Sequence, residues 1–179
     1  IKANLADQTG SVTTKSLRFS PDLSGTEWKA LGMPLASAVI KNSTEEEISA
    51  PSAQNVDNGI WFARLKDNKT PEFVVDESTF GMAGLWAANG DTYTISSEGA
   101  FEFKTLEEPA APTETGTFLM CSNPNTFTIT LKQSAYILTT DGTSFEQEAN
   151  PEIKPFQSFV LTDAKTLSTL RSLRIGDGV

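Results

Sequence analysis

Histidine is absent from this chain and cysteine occurs once. Without imidazole there is no Ser-His-Asp or Cys-His catalytic group and none of the usual zinc centres. Cys121, alone, has no partner for an internal disulfide, so stability has to come from packing. Basic residues are scarce: Lys and Arg number 14 against 23 Asp and Glu, a formal charge of −9 over 179 residues. Phosphate backbones are held by clustered cations, so nucleic acid is excluded as a partner. No apolar run approaches the roughly 18 residues of a membrane-spanning helix. Helical periodicity is nearly missing as well, as are G-x-G-x-x-G, P-loop and G-x-S-x-G motifs and any repeat of solenoid length. No cofactor and no metal is expected, and the chain is expected not to span a membrane.

What is present is alternation with a period of two. In Thr126-Phe127-Thr128-Ile129-Thr130-Leu131 the apolar residues share one face and the threonines the other. Ala100-Phe101-Glu102-Phe103-Lys104 and Thr92-Tyr93-Thr94-Ile95-Ser96 repeat the pattern, which suits half-buried strands. Longer apolar runs predict strands covered on both faces: Ile60 to Leu65, Phe73 to Val75, Thr117 to Cys121 and Ala135 to Leu138. Turn residues separate them, at Asp57-Asn58-Gly59, Lys66-Asp67-Asn68, Asn89-Gly90-Asp91, Ser122-Asn123-Pro124-Asn125 and Asp141-Gly142. A hairpin is predicted through Asp141-Gly142, pairing Tyr136 to Leu138 with a short strand around Phe145.

These patterns predict an all-β fold, an antiparallel β-sandwich of jelly-roll or Ig-like type, as one domain over 1–179. Thr105 to Glu114, with two prolines and three glutamates, reads as an exposed loop joining two small sub-sheets. One helical turn is expected at Thr44 to Ile48 and another at Thr162 to Leu167, capped by Thr162 or Asp163. Pro155 donates no ladder bond, which places its strand at an edge or a bulge. The expected core is Phe19, Leu31, Trp61, Phe73, Phe101, Phe103, Phe118, Phe127, Ile129, Ile137, Phe156 and Val160. Ile1 is not an initiator methionine, which implies an upstream segment removed as a secretory signal or by excision from a longer protein.

Few residues offer chemistry. The carboxylate pairs Asp76 with Glu77 and Glu107 with Glu108, and the run Glu45 to Glu47, are neighbours in sequence. Neighbours on a strand point to opposite faces, so they read as solvated charge rather than a converging acid–base pair. Asp141-Gly142-Thr143 and Asp57-Asn58-Gly59 lack the ligand ladder of a calcium loop and read as turns. Cys121, in an apolar strand, reads as an inert thiol. Asn42-Ser43-Thr44 and Asn68-Lys69-Thr70 match the N-glycosylation pattern, which matters only in a eukaryotic secretory pathway. The remaining candidate is Trp86, in the Gly/Ala-rich Gly81 to Asp91. Exposed, it would stack on a sugar face with Asn89 and Asp91 as polar partners; buried, it is a core plug.

Three elements together resemble a known type of module. Trp28-Lys29-Ala30-Leu31-Gly32-Met33-Pro34 is similar to an opening "W-x-x-L-x-x-P" strand. Gly116-Thr117-Phe118 precedes Ser134-Ala135-Tyr136-Ile137-Leu138 and the Asp141-Gly142 hairpin. Ile153-Lys154-Pro155-Phe156-Gln157-Ser158-Phe159-Val160-Leu161 is similar to a closing "I-x-P-F-x-A-Y-F" strand, with Ser158-Phe159 in place of Ala-Tyr. This order resembles the β-rich modules of Bacteroidetes secreted and cell-surface proteins, found C-terminal to leucine-rich repeats and other extracellular domains. The resemblance implies a non-enzymatic extracellular module with a structural or adhesive role, and an extracellular glycan or protein as partner. The alternatives are a carbohydrate-binding module built on Trp86 and, further off, a carboxylate-dependent glycoside hydrolase.

Overall fold

The computed structural model describes residues 12–19, 26–32, 39–48, 60–75, 83–88, 92–103, 108–125 and 127–176, with backbone alone at 12–19, 39, 48, 60, 75 and 95–103. The first strands are β1 (Val12–Phe19), β2 (Lys29–Leu31), β3 (Val39–Lys41), β4 (Glu47–Ile48), β5 (Ile60–Leu65), β6 (Phe73–Val75), β7 (Gly84–Ala88) and β8 (Thr94–Phe103). There follow β9 (Phe118–Ser122), β10 (Ile129–Thr130), β11 (Ala135–Leu138), β12 (Ser144–Glu148), β13 (Glu152–Ile153) and β14 (Ser158–Thr162). Helix α1 (Ala164–Thr169) and β15 (Ser172–Arg174) come last. Every ladder is antiparallel.

Among the described residues four sheets result, in the orders β1-β8-β3-β4, β2-β7-β5-β6, β15-β12-β11-β14-β9 and β10-β13. The all-β class is as the alternation implies. All strands of the first two sheets precede the Pro/Glu-rich segment and all strands of the last two follow it. That segment is not a free loop over its described part. The Lys132 amide donates to Glu108 Oε1 at 2.7 Å and Gln133 Nε2 to the Pro109 carbonyl at 2.6 Å.

The two largest described clusters lie on either side of the five-stranded sheet. Alternation sorts its side chains: Tyr136 and Val160 turn to one face, Ala135, Phe159 and Leu161 to the other. On the first face they meet Ala63, Leu65, Phe73 and Leu85 from the β2-β7-β5-β6 sheet. The Phe73 and Phe145 rings stack there, centroids 5.3 Å apart at 10°. The second face is covered by Ile153 and Ile129 of the β10-β13 ladder and by Leu131. All five residues of β14 are therefore buried, as expected of a strand covered on both sides.

Strands from before and after the Pro/Glu-rich segment are stitched across this core. Gly32 N donates to the Phe156 carbonyl at 2.6 Å, Gly84 N to Ser158 Oγ at 3.0 Å, and Leu31 bridges to Gln157. The predicted hairpin forms with Leu138 opposite Phe145. Asp163 caps α1, its Oδ1 accepting from Lys165 N and Thr166 N at 3.0 Å each. Its Oδ2 accepts from Gly116 N at 2.8 Å, tying the approach to β9 onto the helix. Tyr136 Oη donates to the Leu170 carbonyl at the helix's other end.

Several expectations are corrected. The closing segment is two strands in two sheets, not one. Gln157 N bonds back to the Lys154 carbonyl, with Pro155 second and Phe156 third at φ 59°, the pattern of a type II turn. Phe156 is thus half-buried at a corner rather than in the core. Thr44 to Ile48 is not helical. Asn42 Oδ1 accepts from Thr44 N and Glu46 N and turns the chain into β4, the competition that short polar side chains offer to helices. Leu31, Trp61, Phe127, Ile129 and Ile137 are only half-buried, and Phe62 takes the core position beside Trp61. The side chains of Phe19, Phe101 and Phe103 lie outside the described residues.

Candidate functional site

Among the described residues β9 is the outermost strand of the five-stranded sheet, so one of its edges has no ladder partner there. Its main-chain directions follow from two hydrogen bonds. Phe118 N donates away from β14, to the Asn68 carbonyl at 2.7 Å, whereas Asn123 N, of opposite parity, donates to the Gln157 carbonyl at 2.9 Å. Successive residues alternate sides, so Met120 shares the direction of Phe118 and turns its N–H and C=O outward. Side chains alternate too: Phe118 and Met120 pack on the larger core and Cys121 on the smaller. Leu119, opposite Leu161, is 42% exposed. It is the one large apolar side chain exposed among the described residues. The expectation that Thr117 to Cys121 is covered on both faces is corrected here.

Beside this edge runs an open groove of about 290 Å³, lined by β9, by Ala83 and by Arg64 to Asn68 at the end of β5. Asp67 builds the groove's turn, its Oδ1 accepting from Lys69 N and Thr70 N at 2.7 Å each. Those bonds, Lys69 first, hold its carboxyl below the usual carboxylate range. Lys69 then reaches across to Thr117 Oγ1 at 2.8 Å and to Glu114 Oε1. Lys66 pairs with Glu72 at 3.0 Å, both about half exposed. Cys121, next along β9, is partly buried, and desolvation pushes its thiol up to about 11. It stays protonated at neutral pH and is a poor nucleophile.

The residues singled out from sequence fall elsewhere. Trp86 is fully buried in β7, edge-on to Phe62 with ring centroids 5.2 Å apart at 61°. An enclosed ring presents no face to a sugar, so the exposed platform is corrected to a core side chain. Asn89 and Asp91 lie outside the described residues, as do Asp76, Glu77, Glu107 and Asp57-Asn58-Gly59. Glu45 and Glu46 sit exposed in the β3–β4 turn, Glu45 facing Lys41 and Glu46 Asn42. Asp141 accepts from Thr139 Oγ1, Thr143 N and Thr143 Oγ1 and shapes the hairpin turn. Asn42 is engaged in its own turn, and Asn68 is exposed. Among the described residues no three His, Cys, Asp or Glu side chains gather to hold a metal ion, and no helix is long and apolar enough to cross a membrane. A second concavity, about 520 Å³ and polar, lies between Glu146, Gln147 and Arg171, where Arg171 Nη1 donates to Gln147 Oε1.

The β9 edge was not legible in sequence. Phe118-Leu119-Met120-Cys121 is apolar throughout, so its period is silent about which residue loses its cover. Against family models, curated proteins and solved structures alike, nothing matches this chain.

Proposed function

We propose that this chain is a non-enzymatic interaction module of a secreted or cell-surface protein, structural or adhesive in role, which holds an extended segment of a protein partner along the β9 edge. In this reading the two sheets that share the larger core form an antiparallel sandwich, and β9 is its open margin. The observation that carries the proposal is Leu119, exposed on an edge strand beside an outward-facing main chain at Met120. The main-chain donor and acceptor at Met120 match those of another extended backbone, and a neighbouring apolar side chain adds selectivity. The resemblance to Bacteroidetes surface modules supports the extracellular setting. The glycan alternative loses the stacking side chain on which it rested, because Trp86 belongs to the core.

The test is a displayed library of random peptides panned against the wild-type chain and against Leu119→Lys, which places a charge on the edge without touching the buried core. Peptides recovered by the wild type and lost with Leu119→Lys support strand addition. Equal recovery by both chains, or none by the wild type, rejects it. Unchanged thermal unfolding of the variant shows that the loss is not misfolding.

A further inference from the structure

We infer that the strand taken up along β9 is β15 of a second copy of this chain, an inference that rests on the strand-addition reading and names its occupant. Among the described residues β15 is the outermost strand at the opposite margin of the same sheet. Gln147 N donates to the Arg171 carbonyl and Ile175 N to the Thr143 carbonyl, so residues of that parity bond to β12. Ser172 and Arg174, of the other parity, turn their N–H and C=O outward. Both side chains are exposed, and a concavity of about 520 Å³ opens at Ser172.

One register lets the two margins meet. The β9 edge is taken at Phe118 by Asn68, so its open main chain starts at Met120. An antiparallel strand with Arg174 opposite Met120 exchanges N–H and C=O there. Leu119 then stands opposite Ile175 and Cys121 opposite Leu173. Leu119 is 42% exposed and Ile175 half-buried, so each gains cover from the other. Met120 and Leu173 face the larger core of their own copies, and Arg174 faces away from it. The second copy is therefore turned over, and the two β2-β7-β5-β6 sheets fall on opposite sides of the joined sheet. Arg174 arrives at the groove lined by Asp67, which is ionised at neutral pH, while Lys66 is paired with Glu72 and Arg64 donates to the Leu65 carbonyl. Arg174 itself has no ion pair among the described residues. A rim pair of this kind fixes register more than it adds affinity. Each copy keeps its other margin open, so the contact repeats head to tail.

The experiment follows mass by sedimentation velocity in about 0.15 M salt, at concentrations up to about 1 mM, since small interfaces bind weakly. Leu119→Lys spoils the β9 margin alone. Arg174→Pro spoils the β15 margin alone, removing an outward N–H and a charge while leaving the bonds to β12. Arg174→Glu, which brings a carboxylate to Asp67, replaces it where proline lowers the unfolding temperature. The expected result is a wild-type mass that climbs past two copies with concentration, with each variant staying near the 19.3 kDa of one copy. An equimolar mixture of the two variants forms pairs and nothing longer. Wild type that stays at one copy, stops at two, or assembles equally well with either substitution overturns this inference, as does a mixture that forms no pairs. Peptides that still depend on Leu119 in panning then leave strand addition standing, and peptides indifferent to Leu119 overturn both.

Discussion

Gly84 in β7 occupies a point where a side chain does not fit, and Gly84→Ala measures how tightly the β5–β7 ladder is packed. A Cβ there would stand inside the van der Waals envelope of Phe62 Cε2 and Cζ, and 2.9 Å from the Ala63 carbonyl oxygen. Phe62 is 1% exposed and edge-on to Trp86, so its ring has little space to turn into. Crowding in a packed core costs about 1–3 kcal/mol. Against this, losing a glycine lowers the entropy of the unfolded chain and returns about 0.4–1 kcal/mol. The net expectation, midway through both ranges, is a loss of about 1.3 kcal/mol. At roughly 2–4 °C per kcal/mol for a chain of this size, Tm falls by about 3–5 °C. Urea unfolding followed by tryptophan fluorescence reads the change, since Trp86 packs on the displaced ring. Phe62→Leu in the Gly84→Ala background should recover part of the loss, a coupling of about 1 kcal/mol that additive sites would not show. A Gly84→Ala chain as stable as the wild type, or two additive substitutions, refutes the steric reasoning.

Two further outcomes follow from polar groups inside the fold. Asn123 is fully buried; its Nδ2 donates to the Phe127, Ile153 and Lys154 carbonyls and its Oδ1 accepts from Asn125. Asn123→Ala leaves these groups unpaired and should cost about 3 kcal/mol in urea unfolding; a loss below about 1 kcal/mol contradicts the role assigned to it. The Asp163 carboxyl is held at about 2, below its usual 3.8, first by the Thr166 hydroxyl and also by the Thr166, Gly116 and Lys165 amides. Because the folded value is the lower one, this contribution is full above 3.8 and disappears as pH falls through about 2. Asp163→Asn should therefore unfold at lower temperature than wild type at neutral pH, and the gap should close between these two pH values. A gap that stays constant over that window shows that the charge is not what matters.

Much of the architecture was legible because its causes are local. Asp141-Gly142 can turn the chain in the left-handed region, and Gly142 does so at φ 69°, which set the β11–β12 hairpin. Asp163 before Ala164-Lys165-Thr166-Leu167 is a cap by residue type and became one. Errors arose where long-range pairing decides. Ile153 to Leu161 reads as continuous strand, but Phe156 is held in a left-handed turn by partners distant in sequence, Asn123 and Gly32. Trp86 in a Gly/Ala-rich stretch suits a core or an open surface equally well, and burial against Phe62 made it core.

Residue types and their period of two determined by themselves that this chain is built of antiparallel strands and carries no imidazole chemistry, since both are properties of single residues and near neighbours. Which strand ends at an edge was decided only by tertiary structure. Strand order depends on which apolar faces find each other across the chain, and four consecutive apolar residues in β9 carry no mark of the one, Leu119, that finds no cover.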